Sequence, residues 1–357
     1  MRNDKKETAA KFIRVGLALL SCLSVALLFS HKRSERIPNA FANSAPPMDT
    51  ALVESPADSA MQTSPKREMS EASLQDKRGA FLECLWESIS QFEDGGGYDT
   101  SYERASDFSQ SVWEGIHRAF VLNPGGVPTL NPSVARPSFC SSACYLALMN
   151  ALCIWDGGKG RVSQAAWTNL KPYVLRKGGA WPYQEDGMGC WGRANANGPG
   201  FALFAAQLGV GVSGYIDGDG NGWEETEPGD FLKLFWNLKI GADNETKNFE
   251  SGHLVILLKR EASWDAEGKR NDILRYWSSN GRGSMLEGGY GVASCRVSDV
   301  RRAVWTRITA PEAFNHAAEI APDDTDIWLS ALNGRHLASE EEMRAALAGE
   351  NMRSWLD

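Results

Sequence analysis

Apolar residues along this 357-residue chain change their period partway through. Phe81-Leu82, Leu85-Trp86 and Ile89 recur at the spacing of one helix face, and Gly95-Gly96-Gly97 closes that segment. Ser109 to Leu122 repeats the pattern and stops at Asn123-Pro124-Gly125-Gly126. The pattern predicts a third helix from Ser138, a fourth around Ser163 to Leu175 and a short one over Phe201 to Leu208; the rest of 156–200 is rich in loop residues. After these the period falls to two. Phe231–Trp236, His253–Leu258, Ile273–Trp277 and Arg302–Ile308 read as strands parted by Gly, Asn and Asp turns. Helices followed by strands imply an α+β domain in which helices precede a small antiparallel sheet. Beyond Pro311 the chain is again helical and acidic, and Ser339-x-x-Glu342 has capping-box spacing ahead of Met343, Ala346 and Leu347. No internal repeat is visible.

The first 78 residues follow neither period. Arg2, Lys5, Lys6, Lys11 and Arg14 precede an apolar run from Val15 to Phe29, interrupted only by Ser21, Cys22 and Ser24. This is the make-up of a signal-peptide core, and with Phe12 and Ile13 it approaches the shortest membrane span. Basic residues on its N-terminal side keep that end cytoplasmic and send the rest across. Ala40 and Ala42 form an Ala-x-Ala site, but His31, Lys32, Arg33 and Arg36 separate it from the run, so a cleaved signal and an uncleaved anchor both fit. Leu19-Leu20-Ser21-Cys22 faintly resembles a lipoprotein box. Residues 31–78, with Phe41 as their single aromatic, lack the apolar area that offsets ordering entropy. The expected organisation is a leader or anchor over 1–30, a disordered linker over 31–78, a domain over 79–310 and a C-terminal helical extension over 311–357. The protein is then exported, periplasmic or extracellular, or tethered to the inner membrane by residues 12–30.

Charge narrows the partners. Residues 1–37 hold eight Lys/Arg against three Asp/Glu, so a chain of net charge −8 carries −13 on its remaining 320 residues. An acidic body has no general attraction for nucleic-acid phosphates, and no nucleic acid is expected as a partner. All thirteen Trp lie between Trp86 and Trp355, so a core is expected only in the body.

Candidate chemistry gathers first at Arg136-Pro137-Ser138-Phe139-Cys140-Ser141-Ser142-Ala143-Cys144. Ser138 after Pro137 suits an N-cap and leaves Cys140 in the first helical turn, where free N–H groups and the helix dipole stabilise a thiolate. The face through Cys140, Cys144, Ala147, Ala151 and Ile154 is small and apolar, so this helix can press on a sheet. Read alone, Cys140 is equally a small buried hydrophobe like Cys144 and Cys153. A second element changes that: Ser251-Gly252-His253-Leu254-Val255-Ile256-Leu257-Leu258 sets a His at the head of an apolar strand, a natural place for a base. A third ends the next strand, Ile273-Leu274-Arg275-Tyr276-Trp277-Ser278-Ser279-Asn280-Gly281, where a polar side chain is able to hold the imidazole.

Cys at a helix start, His at a strand head and a polar residue ending the next strand resembles the order of papain-like cell-wall cysteine peptidases, the NlpC-type and CHAP-type amidases. Glu227-Pro228-Gly229-Asp230-Phe231 is similar to their Pro-Gly-Asp turn. The resemblance spans roughly residues 130–310. It implies a papain-like, NlpC-type domain without a cofactor, with Cys140 as nucleophile, His253 as general base, and Asn280 or its competitor Ser278 as the third residue. Phe139-Cys140-Ser141-Ser142 stands where NlpC-type enzymes usually have Asp-Cys-Ser-Gly, and no His lies near Asn280. The implied activity is hydrolysis of peptide or amide bonds in peptidoglycan. A non-catalytic wall- or glycan-binding domain with Trp-rich loops, and a secreted cysteine protease or toxin acting on protein, are the alternatives.

Other features keep two readings each. Trp191-Gly192-Arg193-Ala194-Asn195-Ala196-Asn197-Gly198-Pro199-Gly200 reads as a Gly-rich loop. Trp191, Arg193, Asn195 and Asn197 bind substrate there, or Asn and Gly merely tolerate positive φ. Asp217, Asp219 and Asn221 resemble the first half of a calcium loop, but Pro228 occupies the position of its closing Glu and a plain acidic turn is the alternative. Cys140, Cys144, Cys190 and His253 have the donor types for zinc without the paired spacing. In an exported body the cysteines form disulfides instead, with Cys190 and Cys295 as the leading partners. His117 sits on an amphipathic helix as a packed or surface residue, and His316 and His336 are expected to be solvated.

Overall fold

Helix α1 (Glu71–Ser90) opens the part of the chain that the computed structural model describes, residues 71–101, 104–124, 127–173, 184–236, 252–335, 338 and 340–348. These residues belong to a compact unit that runs from Lys66 to Asp357. The leader at 1–30 and the linker through residue 70 lie outside the described residues. The linker does not extend to residue 78 as expected, because helix α1 already occupies 71–78. Among the described residues no helix is long and apolar enough to cross a membrane.

A two-residue strand β1 (Gly95–Gly96) follows, then α2 (Val112–Ala119). The start of α2 is set by a capping box: Ser111 Oγ accepts the Glu114 N–H, and the Glu114 carboxylate accepts the Ser111 N–H at 2.7 Å. Strands β2 (Phe120–Val121) and β3 (Thr129–Leu130) form a small separate hairpin. Helix α3 (Cys140–Asp156) then passes through the core, followed by α4 (Gln164–Leu170), α5 (Gly189–Asn195) and α6 (Gly200–Leu208). The expected loop around residue 191 is therefore partly helical. Glycine tolerates this helix for a packing reason: a Cβ on Gly192 would stand 2.2 Å from the Glu185 carbonyl oxygen.

The remaining strands are β4 (Gly211–Ile216), β5 (Phe231–Phe235), β6 (Gly252–Glu261), β7 (Ile273–Asn280), β8 (Gly289–Arg296) and β9 (Arg302–Ile308). With β1 they form one seven-stranded antiparallel sheet in the order β1-β8-β7-β6-β5-β9-β4. The fold is thus mixed α+β with an antiparallel sheet, as the change of period implies. Two strands escape the alternation rule. β4 and β8 are rich in Gly and small residues, so they show no period-two apolar signal.

One face of the sheet packs on α3. Ala143 through Met149, with Ala151 and Leu152, are sealed against Phe231, Leu254, Ile256 and Trp277. The other face buries Leu232, Leu234, Val255, Leu257 and Leu274 with Trp223 and Trp305. The segment from Pro311 is no free extension. Phe314 and Ala317 are fully buried in the main core. Helices α7 (Ile327–Arg335) and α8 (Glu340–Leu347) contribute Trp328, Leu329, Leu332 and Met343 to a third cluster with Ala202 and Phe235. Ser339 of the expected capping box lies outside the described residues.

Candidate active site

Helix α3 begins at Cys140, whose N–H is among those that no intrahelical carbonyl satisfies. Ser138 is not its N-cap. Phe139 holds that position, its N–H donates to Ser142 Oγ at 3.0 Å, and Ser138 Oγ instead bonds Ser279 Oγ at 2.8 Å. One turn on, Cys144 Sγ donates to the Leu254 carbonyl oxygen at 3.3 Å, setting the helix start against the head of β6. His253 stands beside Leu254 on that strand, paired across to Leu234 of β5. The antiparallel register that matches Ile256 with Trp277 brings Asn280, at the end of β7, alongside His253.

His253 Nε2 lies 3.1 Å from Asn280 Oδ1. The amide orientation is fixed from behind, since Asn280 Nδ2 donates to the carbonyl oxygens of Ser278 at 3.2 Å and Gly291 at 2.9 Å. Oxygen therefore faces the ring, Nε2 carries a proton, and Nδ1 is the nitrogen left for the neighbouring Cys140 thiol. Asn280, rather than Ser278, holds the imidazole. Ser278 Oγ donates to the Leu254 carbonyl at 2.7 Å and lies 4.0 Å from Cys144 Sγ.

Burial pushes the Cys140 thiol up. The His253 hydrogen bond, the His253 and Lys233 charges and the Leu254 N–H overcome it and bring the thiol down to about 7. Burial pushes His253 down, but bonding to Cys140 and Asn280 raises it above the ordinary imidazole value. The two shifts favour a thiolate beside an imidazolium. Cys144 and Cys153 move the other way, because burial raises both, Cys153 to about 12. Of the three, Cys140 alone is shifted toward the thiolate.

Sequence reasoning missed Tyr98. It lies just past β1, bridges to Ser138, and its hydroxyl neighbours the Cys140 thiol. Burial and the neighbouring Cys140 raise its own hydroxyl pKa. A Tyr after three glycines carries no periodic signal, and the pairing of β1 with β8 is what brings it in.

The loop candidates divide. Asn195 joins the site: it accepts a hydrogen bond from Ser141 Oγ, next to Cys140, and donates to Asp186 Oδ1 at 2.6 Å. Trp191 does not. It is buried in an aromatic cluster, its ring centroid 5.0 Å from Tyr145 and 5.7 Å from Trp113, and offers no face to a sugar. Arg193 is also buried, donating to Asp324 Oδ2 at 2.6 Å and to the Gly189 carbonyl at 3.1 Å. It clamps the C-terminal segment onto α5 rather than gripping substrate. Arg193→Ala is accordingly expected to lower stability by ~2–3 kcal/mol, the worth of lost charged hydrogen bonds, in urea unfolding, with KM unchanged. Asn197 sits in the turn into α6, where its carbonyl accepts the Gly200 N–H at 3.3 Å. No hydrogen bond among the described residues links it to Cys140.

Asp217 uses its carboxylate on its own turn, accepting the N–H groups of Asp219 and Asn221 at 3.0 Å each. Among the described residues no three or more His, Cys, Asp or Glu side chains gather as a metal site, neither at Asp217, Asp219 and Asn221 nor at the proposed zinc set. Cys190 and Cys295 are free thiols rather than disulfide partners, as are Cys84, Cys140, Cys144 and Cys153. His117 Nδ1 meets the Pro172 carbonyl at 2.8 Å, and exposed His316 meets that of Leu208 at 2.8 Å. Comparison with protein-family models, curated proteins and solved structures found no match.

Proposed function

We propose that this chain is a cysteine amidase or endopeptidase of the papain-like, NlpC or CHAP kind that hydrolyses peptide or amide bonds in peptidoglycan. The observation that carries the reading is the imidazole of His253, held by a fixed Asn280 amide, against a thiol at a helix start. Cys140 thiolate attacks the carbonyl carbon, and the oxyanion develops near the Cys140 N–H, which no intrahelical carbonyl satisfies, and the Tyr98 hydroxyl. His253 gives its proton to the departing amine, leaving an acyl-thioester. It then takes a proton from water, whose oxygen attacks the thioester and regenerates the thiol. Asn280 keeps the ring in one plane throughout. The apolar leader supports, with this activity, a location outside the inner membrane, periplasmic or extracellular, or tethered there by residues 12–30.

The test is digestion of purified peptidoglycan and, separately, of an unfolded protein, followed by labelling of new amino groups. The reading expects release from peptidoglycan by the parent protein and none by Cys140→Ala. Release from the unfolded protein alone would make the chain a protein-directed protease, and release by neither would remove the enzyme reading.

A further inference from the structure

Arg193, the cation that the sequence offers for substrate, is consumed by Asp324. Another cation stands closer to the chemistry. Lys233, on β5, pairs with Leu254, the residue after His253. Its side chain crosses the strand head: the ammonium would stand 3.3 Å from a Cβ built on Gly252, and it lies 5.8 Å from the Phe235 ring centroid. A side chain at residue 252 would collide with the lysine stem at 2.9 Å, so glycine before the base leaves that lane open.

Lys233 is half-buried, yet among the described residues no hydrogen bond or ion pair to its ammonium is found. Among the described residues its charge acts on Cys140, His253 and Asp186. Asp186 is not a firm counter-ion. Burial raises its carboxyl to about 7, and its Oδ1 is taken by the Asn195 amide at 2.6 Å. A partly desolvated ammonium with no ion pair among the described residues is costly, and a site retains one where an anion arrives.

We propose that Lys233 receives a carboxylate of the substrate, so that the bond cleaved stands next to a free acidic group. The proposal rests on Cys140 being the nucleophile. It gives the acidic body a local inversion of sign at the reacting atoms, which selects anionic peptide or amide substrates over neutral ones.

Two alkylating reagents of nearly equal size test it on the whole chain: iodoacetate, an anion, and neutral iodoacetamide. Rates at Cys140 are read by peptide mapping at pH 8.5, above its titration near 7, so that thiolate content no longer depends on Lys233. Lys233→Met keeps the stem against Phe235 and removes the charge. It is expected to slow iodoacetate about three- to tenfold at low salt while iodoacetamide keeps its rate. Lys233→Arg should keep the parent ratio, and about 1 M NaCl should bring parent and Met variant together. An unchanged ratio in Lys233→Met, or equal slowing of both reagents, overturns the carboxylate role and leaves the lysine as a modifier of the thiol. If instead Cys140 of the parent reacts with iodoacetamide no faster than half-buried Cys84, the nucleophile assignment fails, whatever the ratio.

Discussion

Cys140→Ala should lower the rate of amide hydrolysis about a millionfold, the loss measured when a covalent nucleophile is removed from a working triad. His253→Ala should cost about a thousand- to ten-thousandfold, since the thiol then keeps its helix position but loses its base. Asn280→Ala should be milder, because the amide orients the ring and supplies no reacting group, and Ser278→Ala milder still, because Ser278 bonds the Leu254 carbonyl. The same series has a readout that needs no substrate. Iodoacetamide labelling of Cys140 should rise with pH about a midpoint near 7, while Cys144 and Cys153, raised by burial, stay inert there. The sign follows from the depressed thiol: thiolate accumulates as pH climbs through about 7 and is lost below it. In His253→Ala the midpoint should move upward, because the hydrogen bond and the charge that hold it down are both gone. Faster labelling of Cys144 or Cys153 than of Cys140 near neutral pH would sink the assignment.

Asp230→Ala should cost ~3–5 kcal/mol of folding free energy, the penalty for breaking one side of a buried ion pair. The Asp230 side chain is fully buried at the entry to β5. It receives Arg307 Nε on Oδ1 and Nη2 on Oδ2, both at 2.8 Å, and the Glu227 N–H at 2.7 Å. Burial pushes its carboxyl up against the pull of Arg307, so most of the pair's gain offsets its own desolvation. Removing the carboxylate leaves Arg307, itself mostly buried, with half-exposed Glu227 and the Glu225 carbonyl. Urea unfolding reads the change, and in a domain of this size it amounts to a fall in Tm of about 10 °C. Asp230→Leu combined with Arg307→Met should recover most of the loss. A double variant as unstable as the single one would show that turn geometry, and not the charge, was being measured.

The parts of this site that could be read in advance are those announced by local pattern. Cys140 follows from a helix start after Pro137, His253 from the head of an apolar run, and Asn280 from the polar end of the next strand. Each needs only its neighbours in sequence. Tyr98 and Lys233 need the sheet. One arrives through the pairing of β1 with β8, the other is an ordinary strand lysine until Leu254 is seen opposite. Arg193 is opaque to a local reading for the same reason, since its partner Asp324 lies 131 residues on and no local signal marks the pair. The helical stretch Gly189–Asn195 escapes the local pattern because Gly192 serves close packing on the Glu185 carbonyl and does not mark a loop.

The strand order also bears on how the chain reaches this state. β6, β7 and β8 are successive neighbours, so the His253–Asn280 contact needs closure of a loop of only 27 residues. The edges are different, for Gly95 must find Tyr290 and Gly211 must find Ile308. Loop-closure entropy makes such distant pairings the slow ones in a sheet. His253 and Asn280 thus belong to a local meander, whereas Cys140 and Tyr98 are joined to it by long-range docking. Before that docking the thiol lacks the partners that depress it, and a newly made chain carries a cysteine of ordinary thiol acidity until its tertiary structure closes.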